Sequence, residues 1–548
     1  MPKTDQQKKF FTCDHFRTEF LVVALAIYCS VFLNGALWDG LLETQRGLWP
    51  TERWTFFWVT TIGITAFQVA FLSLFVWGRF AKVAVAVFAL IAVVTHYFSN
   101  QYKVMFDTSM IRNALATNFQ ESSELITFKA IGLVLLYALP VALALWFYRI
   151  PKMSFGRQVS AKLMTVVVAL SVSVVAAGTQ YKSLSSAIRN HGEIRHLVLP
   201  TSPVLALVRT VGAESAQANV KKEPLDVAPQ RSTQLTKKPL LTVVVVGETV
   251  RAQNWGLSGS EHQTTPQLAQ ISKQELFNFP YAKSCGTNTE TSVPCMFSGI
   301  GRSNYNEKWI KQHESVLALI QRAGVDVAWI DNQSGCKGAC DGTKSMSASV
   351  LVQQNKSADD NLDEILIKGL AANVSKAAKD QVVVLHMLGN HGPAYYKRYP
   401  QDRAHFTPTC QDNNLTNCSR EAIVNTYDNA IRYTDDVLAK LIQQLNQIQD
   451  RAVSLVYVSD HGESLGEKGL FLHGVPYALA PEEQTRVPFF FWFPERTQKM
   501  LGLNAQCLAR KASRPTEHDL LAHSLLGLYE ISSPVYKRQW DFIQDCHA

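Results

Sequence analysis

The sequence predicts two structural classes in one chain: a membrane part of five α-helices, then an α/β domain built on a mostly parallel sheet. Three observations carry this. Five apolar stretches, Phe20 to Trp38, Trp54 to Trp77, Phe80 to Phe98, Ala130 to Tyr148 and Val159 to Gly178, fill the first third of the 548 residues, and each is close to the ~20 residues a helix needs to cross a bilayer. Beyond Pro239, short apolar runs alternate with helical patterns such as Arg420 to Ile448, which is how a sheet covered by helices reads. All cysteines except Cys13 and Cys29 lie beyond the apolar third.

Composition agrees with a split molecule. A hydrophobic content of 47% with a mean hydropathy near zero suits neither a disordered chain nor one embedded entirely in lipid. The formal net charge is +8, but residues 1–180 hold 15 Lys and Arg against 9 Asp and Glu, while the remainder holds 38 against 36. The basic excess belongs to the membrane part, so no nucleic-acid partner is expected.

Buried helices of a soluble protein would explain one apolar run; five in succession argue for a membrane. No cleavable signal peptide is expected, because the charged residues from Asp14 to Glu19 lead directly into a full-length span. One set of flanks carries Lys3, Lys8, Lys9, Arg17, Arg79, Lys82, Arg149, Lys152, Arg157 and Lys162, the other Arg46, Arg53, Lys103, Arg112 and Lys129. The richer set is expected in the cytoplasm. An odd number of spans then puts everything after Gly178 outside it.

From Tyr181 to Val211 apolar residues mix with Arg189, Arg195 and Arg209, as in helices lying on a membrane surface. Gly212 to Pro239, rich in Ala, Gln, Lys and Pro, reads as a linker. The expected division is residues 1–180 for the transmembrane domain, 181–239 for surface helices and linker, and 240–548 for the exterior α/β domain. In that domain Cys285, Cys295, Cys336, Cys340, Cys410, Cys418, Cys507 and Cys546 form an even set, mostly in close pairs, as an oxidising compartment permits. The expected bridges are 285–295, 336–340, 410–418 and 507–546, the last closing the longest loop. A zinc site at Cys336 and Cys340 would need a second pair of matching spacing, and none is present.

Strand-like runs fall at Leu240 to Gly247, Val325 to Asp331, Val382 to His386, Ser454 to Ser459 and Pro488 to Phe493. Ligands of such sheets bind past the carboxyl ends of the strands, where LLTVVVVGE presents Glu248 and SLVYVSDHGE presents Asp460 and His461. Hard carboxylate oxygens with one imidazole suit zinc or manganese. Between Ser284 and Phe297 the string SCGTNTETSVPCMF places Thr287, Thr289, Thr291 and Ser292 in a loop bracketed by Cys285 and Cys295. Any of these hydroxyls is a candidate nucleophile once a metal or base lowers the cost of its alkoxide. Chemistry alone does not separate them. The chain has no internal repeat, no phosphate-binding G-x-x-x-x-G-K-[ST] loop and no C-x-x-C redox motif. Lys337, between Cys336 and Cys340, would be pinned by a small disulfide loop and could serve as a fixed cation for phosphate, or simply be a surface lysine.

The string CGTNTETSVPCMF, with VGETVRAQNWGLSG before it and GNHGPAYYKRYP and SDHGESLGEKGLFLHGVPYALAP after it, resembles the lipid A phosphoethanolamine transferases, including the mobile colistin-resistance enzymes. That family is similar in fold to alkaline phosphatases and sulfatases. The match runs from Leu240 to the C-terminus and, more loosely, through the membrane part. It implies a five-helix transmembrane domain joined to an alkaline phosphatase/sulfatase-like periplasmic domain, in a multi-pass protein of a bacterial inner membrane, expected as a monomer. It implies Thr289 as the nucleophile, and Glu248, Thr289, Asp460 and His461 as holders of zinc, one or two ions. His391 and His473 stand at family positions for a second metal or for substrate phosphate. Asn113, Thr117 and Glu121 recur every four residues, which by spacing alone gives only a shared, solvated helix face; the resemblance puts them near the ethanolamine of the donor lipid.

The implied reaction transfers phosphoethanolamine from phosphatidylethanolamine to a phosphate of lipid A through a phosphoethanolamine-threonine intermediate. Lower negative charge on the outer membrane would then weaken its attraction for polymyxins. Two departures from the family pattern stand out. Glu290 replaces a small residue beside the nucleophile, and Lys356 to Asp363 lacks a cysteine pair that similar enzymes carry, so that loop is expected to be less tied down. Two rival readings are a membrane-anchored phosphatase or sulfatase with water as acceptor, and a non-enzymatic envelope scaffold. A five-span anchor argues against the first, and the presence of Glu248, Thr289, Asp460 and His461 against the second.

Overall fold

A computed structural model describes residues 17–45, 49–117, 119–150, 153–190, 192–217, 222–232, 238–348, 350, 362–375 and 379–547. The chain forms two compact units, one of residues 1–111 and 126–213, the other of residues 112–125 and 214–548.

In the first unit Pro50–Ser73, Gly78–Tyr102, Phe128–Phe147 and Phe155–Thr179 are each long and apolar enough to cross a membrane. The expected first span is broken: Thr18–Leu33 and Gly35–Glu43 meet at an angle of 62° and make a fifth span only when counted together. Asn34 sits at the break and explains it. Its amide donates to the carbonyls of Cys29 and Leu199 at 2.9 and 3.0 Å and accepts from Leu199 N at 2.8 Å, so backbone groups freed by the bend find partners inside the protein. Pro50–Ser73 packs closely on Phe155–Thr179 at Gly63, where an added Cβ would lie 2.9 Å from that of Ala176; small residues allow helices to approach in lipid, where burial supplies no drive. Leu135, Leu136, Leu139 and Trp146 of Phe128–Phe147 are exposed, as befits side chains solvated by acyl chains. The surface segment folds as helices Tyr181–Asn190 and Thr201–Gln217 joined by the turn Gly192–Leu197.

The second unit is built on a seven-stranded sheet. Its strands are β1 (Leu240–Gly247), β2 (Leu276–Asn278), β3 (Asp326–Asp331), β4 (Lys344–Ser347), β5 (Gln381–His386), β6 (Ala452–Ser459) and β7 (Phe489–Trp492), in the order β2-β7-β6-β1-β5-β3-β4. Neighbours from β6 through β4 run parallel, and β7 runs antiparallel to both β6 and β2. The central strands are buried on both faces, which is why LLTVVVV is a continuous apolar run: Val244 and Val246 enter one core, Leu241, Val243 and Val245 the other. Arg420–Gln447 covers the second core, its N-terminus capped by Ser419. Part of the expected linker is ordered on this unit, with Gln230–Arg231 pairing with Ile531–Ser532 and Arg231 bound to Asp380 at 2.6 Å. Of the loop at Lys356 to Asp363, residues 356–361 lie outside the described residues; Asp363 is buried and accepts from the backbone N–H groups of Leu388 and Gly389 at 2.8 Å each.

Among the described residues four disulfides form, Cys285–Cys295, Cys336–Cys340, Cys410–Cys418 and Cys507–Cys546. Cys29 is the free cysteine among the described residues, and Cys13 lies outside them.

Candidate active site

Strands β1 and β6 are adjacent and parallel with Gly247 opposite Ser459, so both hand the chain over at the same height. Glu248 follows one and Asp460 and His461 the other, and Asp460 N donates to Gly247 O at 2.9 Å, extending the ladder past the strands. All three side chains are fully buried. Their ligand atoms lie within 4.8 Å of one another, a group able to hold a metal ion. The turn after Glu248 is tight: Thr249 has φ 59°. Gly389 of the GNHGP loop, itself at φ 52°, passes so close that a Cβ there would sit 2.6 Å from Glu248 O.

The stretch between Cys285 and Cys295 is not a loop throughout. Thr289–Met296 is a helix, capped by Asn288, whose Oδ1 accepts from Thr291 N at 3.0 Å. This separates the four hydroxyls. Thr287 Oγ1 donates to Val475 O at 2.7 Å and Ser292 Oγ to Asp460 O at 2.5 Å, while Thr291 lies on the side that lines a cavity of about 280 Å³. Thr289, at the first helical position, has its Oγ1 3.1 Å from Glu248 Oε2 and 3.4 Å from His461 Nε2. Negative charge on that oxygen would sit at the N-terminal end of this helix, where the helix dipole favours it.

The donor set fits a cation. Asp460 Oδ2 is buried and makes no hydrogen bond among the described residues, and His461 Nε2 stands 3.3 Å from it and 3.4 Å from Glu248 Oε1. His461 Nδ1 faces Gly462 O at 2.9 Å, which leaves Nε2 to the cluster. Burial pushes the Glu248 carboxyl up, yet the hydrogen bond and charge of His461 outweigh it and hold the group well below the ordinary range. Burial and the charge of Glu248 push Asp460 up to about 6. Burial also works against charge on His461, but Asp460 and Glu248 raise it to about 10. Two buried carboxylates therefore demand positive charge between them, and a divalent ion meets that demand with better geometry than a proton.

His473 and His391 flank the cluster: the ring of His473 is 4.3 Å from that of His461 and 5.6 Å from that of His391. Desolvation pushes His391 down to about 3, so it is the neutral form that a metal or a phosphate hydroxyl can use. Lys337, at φ 51°, turns its ammonium onto Ser334, 2.9 Å from the carbonyl and 2.8 Å from the hydroxyl. With Glu290, Thr291, Arg112 and Tyr305 it lines the 280 Å³ cavity rather than the metal cluster. Asn113 and Thr117 do not continue into one helix with Glu121. Thr108–Ala116 ends where Thr117 Oγ1 turns back to Asn113 O at 2.7 Å, and Phe119–Leu125 begins anew; the side chain of Glu121 lies outside the described residues.

One positioning group escaped the sequence reading. Glu463, fully buried, accepts from Tyr395 OH at 2.8 Å and faces His473 Nδ1 at 2.9 Å, which turns Nε2 of that ring outward. Its signal was its place in the same DHGE string as two proposed ligands.

Comparison with known proteins agrees with this architecture. Residues 241–531 match the sulfatase family model, and residues 64–214 the model described as phosphoethanolamine transferase EptA/EptB. The chain is 36% identical to phosphoethanolamine transferase EptA of Escherichia coli K12 over 95% of each protein. The chain belongs to the phosphoethanolamine transferase family. Phosphatidylethanolamine transferase Mcr-1 of Escherichia coli is 35% identical, over 96% of this chain and 97% of the relative. The solved structure of the integral membrane lipooligosaccharide phosphoethanolamine transferase A of Neisseria meningitidis matches with a TM-score of 0.90 at 33% identity, covering 96% of this chain and 98% of that one. Family membership thus extends over both units.

Proposed function

We propose that the protein is a multi-pass enzyme of a bacterial inner membrane whose periplasmic domain moves phosphoethanolamine from phosphatidylethanolamine to a phosphate of lipid A. The expected division at residues 180 and 239 into membrane domain, surface segment with linker, and catalytic domain is kept in this reading. One observation carries the chemistry: Thr289 Oγ1 lies 3.1 Å from Glu248 Oε2, beside the buried Asp460 and His461 and at a helix N-terminus. Glu248, Thr289, Asp460 and His461 would hold zinc, with His391 and His473 available for a second ion or for substrate phosphate. Bound there, zinc would supply Lewis acidity and lower the cost of a threonine alkoxide at neutral pH.

In the first half-reaction Thr289 Oγ, its proton already directed at Glu248 Oε2, forms a bond to the donor phosphorus. The phosphorus–oxygen bond to diacylglycerol breaks, and the departing oxygen takes up a proton. In the second, an oxygen of a lipid A phosphate forms a bond to the same phosphorus, and Thr289 Oγ leaves and recovers its proton. Asn113, Thr117 and Glu121 would meet the donor's ethanolamine, and Lys337 a phosphate. An ammonium added to an anionic lipid A phosphate reduces the attraction for polycationic polymyxins, an effect that salt screens.

The test separates transfer from hydrolysis. Purified protein given phosphatidylethanolamine alone is expected to release diacylglycerol slowly and to gain mass on the peptide carrying Thr289; lipid A should speed turnover and receive the group. Thr289→Ser should keep part of the activity and Thr289→Ala should lose the adduct with the disulfides intact. An adduct persisting in Thr289→Ala would move the role to another hydroxyl, and fast release indifferent to lipid A would mean that water is the acceptor.

A further inference from the structure

Between the apolar helices Gly78–Tyr102 and Phe128–Phe147 the chain makes an excursion, and its residues 112–125 belong to the compact unit of the α/β domain. Ion pairs at both ends fasten this strap. At one end Arg112 Nη2 lies 2.8 Å from Glu307 Oε1, with the arginine side chain 8% exposed. At the other, Glu124 pairs with Arg398, the two side chains 3% and 2% exposed. Asn413 Nδ2 adds a hydrogen bond to Glu124 O at 2.7 Å, and Asn413 is held in turn inside the Cys410–Cys418 loop.

Arg398 is used twice. While its Nη2 meets Glu124, its Nε donates to the main-chain oxygen of His391 at 2.7 Å. One rigid guanidinium fork therefore ties the strap to the loop that carries a histidine flanking the metal cluster. An apolar contact of equal area would hold the strap as firmly, but it would not fix an angle; a planar fork with two acceptors does. Lys397 also approaches the Glu124 carboxylate, at 3.6 Å, but Glu124 and Arg398 are the two buried partners joined by a direct hydrogen bond, so removing either leaves the other's charge buried without it.

We propose that Glu124 and Arg398 are positioning residues that set the strap in register with His391, so that donor head-group contacts made by the strap fall at a fixed place relative to Thr289. The identity of that donor rests on the transferase reading above. The Arg112–Glu307 pair serves the same strap from its other end.

Steady-state transfer by the full-length chain, with phosphatidylethanolamine varied in detergent micelles, tests the register. Glu124→Gln should raise the apparent KM for the lipid about tenfold while kcat falls less than about threefold, because the chemistry at Thr289 is untouched. Arg112→Gln should move KM in the same direction. Stability is read beside it. Glu124→Gln strands the Arg398 charge and should lower Tm, whereas Glu124→Gln/Arg398→Gln removes both charges and should recover Tm without recovering KM. Hydrogen exchange over residues 112–125 should quicken in both the single and the double variant. A KM that recovers together with Tm, or a loss of kcat at constant KM, would overturn the proposal. Should the wild-type chain fail to turn over the lipid, the transferase reading falls, and unchanged exchange protection of the strap in both variants would overturn the register on its own.

Discussion

Thr289 owes its position to its neighbours. Asn288 starts the helix one residue earlier, Thr287 and Ser292 spend their hydroxyls on carbonyls, Thr291 lines the neighbouring cavity, and the Thr289 oxygen faces the cluster. None of this depends on Thr289 being a better nucleophile than the other three. At the same scale, Asp460 has two distinct oxygens: Oδ1 accepts from Thr249 N and His461 N at 3.1 and 2.7 Å, and Oδ2 has no hydrogen bond among the described residues. We expect Asp460→Asn to keep the Oδ1 bonds and the fold but to lower zinc content and transfer together, as an amide is a poor ligand for that ion. Elemental analysis of the purified variant decides this; full zinc content would remove Asp460 from the site. Which residues are acidic or hydroxylated was plain in the sequence, but which lone pair lacks a hydrogen bond was not, because that depends on partners as far as 211 residues away.

At the scale of elements, strands brought into parallel register place their carboxyl ends together, and this happens twice. Beside the Glu248 and Asp460 ends, β3 and β5 pair Asp331 with His386, whose Nδ1 lies 2.9 Å from Asp331 Oδ2. Burial pushes the Asp331 carboxyl up, but the charge and hydrogen bond of His386 bring it down to about 2, from 3.8. Burial likewise lowers His386, and Asp331 outweighs it, so its pKa is raised. A depressed acid contributes stability that is present above its unfolded pKa and is lost as pH falls through the folded one. A raised histidine contributes below its unfolded pKa and loses that contribution as pH rises through the folded one. The pair is therefore fully stabilising between roughly pH 4 and 6.5. Asp331→Asn should cost about 2 kcal/mol in that window, with a difference from wild type that shrinks from pH 4 towards pH 2. Thermal unfolding across this range checks it, and a pH-independent difference would sink the linkage. The strands were legible as apolar runs because two-sided burial leaves no alternation to misread. The helix at Thr289–Met296 was not, since Thr, Ser and Pro294 are poor helix formers and only the capping Asn288 announced it.

At the scale of the whole molecule, each disulfide among the described residues joins two residues of the α/β unit. Reduction should thus loosen the catalytic unit while sparing the apolar helices. Labelling the unfolded, unreduced protein with a thiol reagent should mark at most Cys13 and Cys29. Eight or more labelled thiols would show that the domain had folded in a reducing compartment, against the periplasmic location. The same scale holds the strap, a piece of chain that sequence order assigns to the membrane helices and tertiary contacts assign to the catalytic unit.

The sequence by itself determined what depends on local pattern: the apolar spans, the buried strands, the acidic and imidazole side chains at strand ends, and the cysteine pairs close along the chain. Burial has a period and a length, so it can be read from neighbours. Tertiary structure alone decided that Asn34 bends the first span, that Glu463 orients His473, that Thr289 rather than Thr287 or Ser292 faces Glu248, and that Glu124 meets Arg398. Each of these is a meeting of two groups distant in sequence. Such meetings are fixed by strand register and chain closure, and no local periodicity records them.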